Sequence, residues 1–272
     1  MLWRDTRLRL AFGLSILMAV VLFVILGQAD ADNRVPLAIG FAGLLALLQV
    51  FILIRGKGHQ GALLKAQQAF VDGRYEEAAG LLEGQLEQHR ANGQAPDLKL
   101  LTVLGNTYRQ LGRLDESAAL LQQAIEQFPN KAFPVYGLGR TRLAQGKYDE
   151  AAGLIEQALK LGARKAVRAD LALALYYAEA DQSRIIEVAQ QTGRILNVEN
   201  YRALMVNYLM ARFATNPTEE EVARRVMHHT AAGLAYWQGE AKRHATTDFG
   251  RRLTSDVARI EAILQEENSG HE

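Results

Sequence analysis

Apolar residues follow two different patterns along the chain. From Leu10 to Leu26 (LAFGLSILMAVVLFVIL) and from Val35 to Ile54 (VPLAIGFAGLLALLQVFILI) they run almost unbroken, with no Asp, Glu, Lys or Arg in either stretch. Beyond Arg55 they recur at three- and four-residue spacing, as in Phe249, Leu253, Val257, Ile260 and Leu264, the stripe of an amphipathic helix. No sustained alternation of the kind that marks a strand occurs outside the apolar stretches. About 20 helical residues cover the roughly 30 Å hydrocarbon core of a bilayer. The two continuous stretches therefore predict membrane-spanning helices over 10–26 and 35–54. Small residues repeat every fourth position, at Ala11, Ser15 and Ala19 and at Ala38, Ala42 and Ala46, a spacing that allows two such helices to pack closely.

Charge sets the expected orientation. Arg4, Arg7 and Arg9 precede the first stretch, and Arg55, Lys57 and Lys65 follow the second. The connection GQADADNR carries Arg34 beside Asp30 and Asp32. Basic flanks stay on the cytoplasmic side, so the expectation is an integral inner (plasma) membrane protein with its body in the cytoplasm. The basic start and the Ala29-Asp30-Ala31 triplet also imitate a signal peptide, but the first stretch exceeds the usual 7–15 residues of such a core. Cleavage there would leave the body cytoplasmic.

The remainder repeats itself. Gly73-Arg74-Tyr75-Glu76-Glu77-Ala78, Gly112-Arg113-Leu114-Asp115-Glu116-Ser117 and Gly146-Lys147-Tyr148-Asp149-Glu150-Ala151 align, the last two 34 residues apart. Leu104-Gly105 and Tyr108 precede the second turn, Ser117, Leu121 and Ala124 follow it, and Pro129 closes that unit; Leu138-Gly139, Ala151, Ile155 and Ala158 repeat the pattern. This resembles the tetratricopeptide repeat (TPR) family across residues 97–165 and, more loosely, 59–90. The first repeat departs by having Lys65-Ala66 for Leu-Gly, and the third has Arg142 for an aromatic residue and no closing Pro. A weaker unit carries Leu173-Ala174 and Tyr177, with Asp181 where the turn Gly would stand.

The expected fold is all-α: an N-terminal two-helix transmembrane hairpin (1–56), an α-solenoid of TPR helical hairpins (57–196), and degenerate repeats with irregular C-terminal capping helices (197–272). In the last region Tyr201–Phe213 reads as a helix stopped by Asn216-Pro217. Thr218-Glu219-Glu220-Glu221 reads as a capping box opening a long helix to about Arg243, and a final helix starts near Thr247-Asp248.

Composition excludes several chemistries. The 272 residues carry no cysteine and a net charge of +1, which removes thiol chemistry and Cys-based metal sites and argues against nucleic acid as a partner. Phosphate-binding, dinucleotide, nucleophile-elbow and zinc-protease motifs are absent. His228-His229 is a poor metal site because adjacent helical residues diverge by about 100°. The chain is expected to have no catalytic residue, no cofactor and no small-molecule substrate.

What the TPR resemblance implies is protein binding on the concave face formed by the first helix of each pair. Its groove positions fall on Gln67 and Phe70, then Lys99, Thr102, Asn106, Arg109 and Gln110, then Phe133, Tyr136, Arg140 and Leu143. Lys99, Asn106, Arg109, Phe133, Tyr136 and Arg140 form the candidate groove, mildly basic with aromatic anchors. It would suit an acidic peptide segment with a bulky side chain. The leading functional expectation is a membrane-anchored scaffold or assembly factor that binds protein partners, such as a membrane complex, at the cytoplasmic face, with residues 10–26 and 35–54 in the bilayer. Two apolar segments followed by repeats also resemble the haem-lyase accessory subunit of cytochrome c maturation, which implies, as the alternative, repeats that hold an apoprotein on the other side of the membrane.

Overall fold

The computed structural model describes residues 16–18, 20–22, 24–25, 27–28 and 31–266. The chain divides into two compact units, Met1–Lys65 and Ala66–Glu272. In the first unit the described residues are helical, and helix α1 (Ala31–Val71, 41 residues) begins there. This helix passes Ile54 and Arg55 without a turn and ends at Val71. Among the described residues no helix is long and apolar enough to cross a membrane, so the transmembrane hairpin is not supported. Residues 10–15, 19, 23 and 26 of the first expected span, and the side chains of 36, 37 and 48–54 of the second, lie outside the described residues.

The second unit takes up the end of α1 and continues through α2 (Tyr75–Ala91), α3 (Leu98–Gln110), α4 (Leu114–Gln127), α5 (Ala132–Ala144), α6 (Tyr148–Lys160), α7 (Arg168–Tyr177), α8 (Gln182–Gly193), α9 (Asn200–Arg212), α10 (Pro217–His229), α11 (Leu234–Arg243) and α12 (Asp248–Glu266). No strand occurs among the described residues. Each helix from α2 to α10 packs mainly on its neighbours in the chain, the one-dimensional stacking of a helical-repeat solenoid. Leu82, Leu100, Leu101, Leu104, Leu121, Ile155, Leu173 and Leu204 are fully buried between the helices.

Local sequence explains the joints. Gly112 and Gly146 take φ of +74° and +78°, a left-handed conformation that costs glycine little, and so fold the second helix of each pair back on the first. In the fourth unit the left-handed position is Glu179, at φ +56°. Asp181, expected as the stand-in for glycine, instead caps α8 by accepting from the Ser183 amide at 2.8 Å. Asp97 caps α3 in the same way, through the Leu100 amide at 2.7 Å.

Two expectations for the C-terminal region need correction. The cap of α10 is Asn216, whose side chain accepts from the Glu219 amide at 3.0 Å while the Glu219 carboxylate reaches back to the Thr215 amide; the box sits two residues earlier than the Thr218–Glu221 reading. The single long helix to Arg243 is broken. After His229 the chain makes a 3-10 turn at Ala231–Gly233 and restarts as α11. A Cβ at Gly233 would stand 2.5 Å from the Tyr201 backbone, so the break lets the chain turn where it meets α9.

Helix crossings use the small residues of the repeat. A Cβ at Gly139 would stand 2.9 Å from Ile155 Cγ1 and 3.4 Å from the Ala151 carbonyl oxygen, which leaves no room for a larger side chain between α5 and α6. Gly139→Leu is therefore expected to destabilise the protein by about 1–3 kcal/mol, the usual cost of overpacking. Gly153, on the same helix pair, has nothing within 4 Å of such a Cβ, and Gly153→Leu should leave the melting midpoint unlowered. Thermal melts of both variants check the register.

Candidate functional site

The first helices of successive pairs, α3, α5, α7 and α9, present one face, and the chain's own α11 and α12 lie against it. Arg140 of α5 is the centre of the contact. Its Nη2 donates to the Tyr236 hydroxyl at 2.6 Å and to Glu240 Oε2 at 3.1 Å, both on α11. Its Nη1 lies 3.1 Å from Asp170 Oδ1 on α7 and donates to the Tyr136 hydroxyl at 3.3 Å. Arg140 thus bridges two carboxylates from helices far apart in sequence. Arg140, Asp170 and Glu240 are all buried, at 7, 1 and 1% exposure.

The surrounding groups complete the pairing. Arg109 of α3 places Nη1 3.6 Å from Glu240 Oε2, and Arg243 donates to Glu240 Oε1 at 3.0 Å. Tyr136 donates to Asp170 Oδ2 at 2.9 Å and accepts from Arg202 Nη2 at 2.7 Å, while Arg202 Nε reaches the same carboxylate at 3.0 Å. An aromatic group holds the other side of α11. Tyr236 stacks on Tyr201 with ring centroids 3.9 Å apart, and the Trp237 indole donates to the Tyr201 carbonyl at 2.6 Å.

Helix α12 makes a second buried hub. Asp256 accepts from the hydroxyls of Tyr208, Tyr177 and Tyr176 at 2.6, 2.9 and 3.3 Å. These tyrosines come from α7 and its C-terminal end and from α9. Tyr148 of α6 donates to Asp248 at 2.8 Å, and Arg252 donates to the Tyr177 carbonyl at 2.8 Å. One apolar core runs from Leu143 through Trp237 and Phe249 to Ile260, so α11 and α12 share the interior of the repeats.

The predicted groove residues divide accordingly. Arg109, Tyr136 and Arg140 are brought together, but their partners are Glu240, Tyr236 and Asp170 of the same chain. Lys99 and Phe133 stay exposed, Phe133 at 60%. Asn106 is half-buried and donates to the Thr102 carbonyl of its own helix at 2.8 Å. Phe70 packs edge-on to Tyr75, and Thr102, Gln110 and Leu143 are buried. The sequence reading missed Asp170, Arg202, Tyr236, Glu240 and Asp256. One signal was present: Tyr236 and Glu240 are four residues apart, hence on one helix face, with the acidic and aromatic chemistry complementary to the groove. His229 is exposed and His228 half-buried, and among the described residues no group of three or more His, Cys, Asp or Glu is placed to hold a metal.

Burial would raise the Glu240 pKa, but Arg109 and Arg140 outweigh it and hold the carboxylate down at about 2. Burial pushes His244 down to about 4, against the attraction of Glu240 and with Arg109 and Arg243 adding to the shift. Both groups bind protons more readily in the unfolded chain, so stability is lost as pH falls. His244 contributes stability that is complete above its ordinary value of 6.5 and is lost as pH falls towards 4; Glu240 adds a loss from 4.5 down to 2. The urea midpoint should drop between pH 7.5 and 5, and His244→Gln should flatten that drop. Glu240→Ala leaves buried arginines short of a partner, and should cost about 3 kcal/mol at pH 7, as for other broken buried pairs; equilibrium urea unfolding measures it.

Residues 63–132 and 136–182 match the tetratricopeptide repeat family. A thermophilic TPR protein of Thermus thermophilus has the same fold, with a TM-score of 0.51 at 15% identity over 74% of this chain and 99% of that one. YrrB, described as a TPR protein with an unusual peptide-binding site, aligns with a TM-score of 0.46 at 14% identity over 69% of this chain and 97% of that one. The rhomboid protease GluP of Bacillus subtilis is 28% identical over 130 residues, which are 47% of this chain and 21% of that protein. The chain therefore spans about a fifth of that curated relative. The helical repeats within residues 63–132 and 136–182 are of the tetratricopeptide type.

Proposed function

We propose that the protein is a membrane-anchored TPR scaffold that binds protein partners at the cytoplasmic face of the membrane. The repeats carry the first half of this reading, because stacked helical pairs offer extended surfaces for other proteins. The observation that carries the second half is the apolar surface of the first unit. Ile16, Leu17, Val20, Val24, Val35, Ile39, Leu44 and Leu47 are each more than half exposed. A water-facing segment rarely exposes so many large apolar side chains, and lipid is the environment that suits them. The continuous stretches 10–26 and 35–54 favour the same reading. Orientation rests on the basic residues outside the two stretches and the acidic connection between them. Anchorage would raise the local concentration of the repeats near membrane partners.

The expected result is that the full chain stays with membranes through an alkaline carbonate wash and is released only by detergent, and that a reporter fused after Glu272 is active in its cytoplasmic form. Release by carbonate would overturn the anchorage, and alkaline phosphatase activity at that fusion would reverse the orientation. Crosslinking in intact membranes followed by mass spectrometry tests the scaffold role, which predicts recovery of the same partners from independent preparations.

A further inference from the structure

Because α11 occupies the face where a TPR groove is expected, its chemistry reports what that face recognises. We propose that the helix Leu234–Arg243 is a releasable internal occupant of the concave face, and that the partner it excludes is a helical segment bearing a tyrosine and, four residues later, a carboxylate. This rests on the reading of the chain as a protein-binding scaffold.

Three observations carry it. The contact of α11 with α3 and α5 is polar: Arg109 and Arg140 meet Glu240 and the Tyr236 hydroxyl. Buried ion pairs gain little net stability over their desolvation cost. At this contact Arg109 Nε, Arg243 Nε and His244 Nε2 are buried with no hydrogen-bond partner among the described residues, so the cost is incompletely offset.

Helix α11 is also weak by itself. It has ten residues, with Gly239 in its interior, and is bounded by the turns at Ala231–Gly233 and after Arg243. So short a segment holds its helix only through packing.

The receptor, by contrast, is built independently of α11. Asp170 and Tyr136 hold Nη1 of Arg140, and only Nη2 is given to Tyr236 and Glu240. Arg202 fixes Asp170 and Tyr136 in turn. With α11 displaced, Arg140 would stay oriented with one edge of its guanidinium free for another tyrosine–carboxylate pair. Trp237, tied to Tyr201 of α9, sets the cost of release. It makes the closed form dominant, so that an external helix must compete with the internal one.

The probe is a fluorescein-labelled peptide with the sequence of residues 231–245, titrated by anisotropy into the full chain in detergent. Wild type should bind it weakly, since affinity scales with the fraction of open protein. Trp237→Ala, which weakens the anchor and leaves Arg140 intact, should bind at least about tenfold tighter. Adding Arg140→Ala should abolish the gain, and so should a Gln at the Glu240 position of the peptide. No gain in a Trp237→Ala protein that keeps its helical circular dichroism overturns the proposal, as does a gain that survives Arg140→Ala. Hydrogen exchange of the wild type decides the matter if Trp237→Ala fails to fold. The amides of α11 should exchange at least about tenfold faster than those of α5, through an opening smaller than global unfolding. Exchange of α11 together with α5 would make it a fixed part of the core and overturn the proposal. Neither readout depends on membrane extraction or on crosslinked partners, so a failure here leaves the scaffold reading standing.

Discussion

The second unit depends on one guanidinium. Arg140 sits in the middle of the solenoid and is shared between Asp170 of the next repeat and Glu240 of the returning C-terminal helix. A buried arginine is tolerated only where carboxylates surround it, and here they come from residues 30 and 100 positions away. The pair Asp170–Arg202 and the hydroxyl of Tyr136 extend the same network to α9. The charged hub therefore fixes the order in which the last helices stack against the first ones, a specificity that apolar packing supplies less sharply because many apolar arrangements bury similar area.

Around that hub, the repeats obey simple steric rules. Pairs cross where Gly105 meets Leu121 and Gly139 meets Ile155, and the turns use left-handed glycines. Larger aliphatic residues then fill the space between pairs. The same economy appears at the C-terminal end, where Gly233 and Gly250 meet backbone atoms of Tyr201 and His244 too closely for a side chain. Close contact at these glycines sets the positions of α11 and α12, and tyrosine hydroxyls converging on Asp256 hold α12 in place.

A solenoid with a filled concave face is a different device from an open one. Its exposed residues, Lys99 and Phe133 among the predicted groove positions, remain accessible, while the basic centre is occupied by an internal tyrosine and glutamate. The apolar surface of the first unit is a separate feature with a separate physical demand.

Much of this was legible in the sequence because its causes are local. The 34-residue spacing of the Gly-Lys/Arg turns, the Leu-Gly pairs and the helical stripes located the repeats, the crossing glycines and the start of α12. A helix and its turn are set by neighbours within a few residues, so their signals lie close together in the chain. The break at Ala231–Gly233 was not legible, since it answers to Tyr201, and nor was the continuation of α1 past Arg55. The basic and aromatic residue types of Arg109, Tyr136 and Arg140 were legible in the sequence. That these side chains meet Glu240 and Tyr236 of the same chain was decided only by tertiary structure, because pairing residues 100 positions apart depends on the accumulated rotation of every helix between them, which no local pattern encodes.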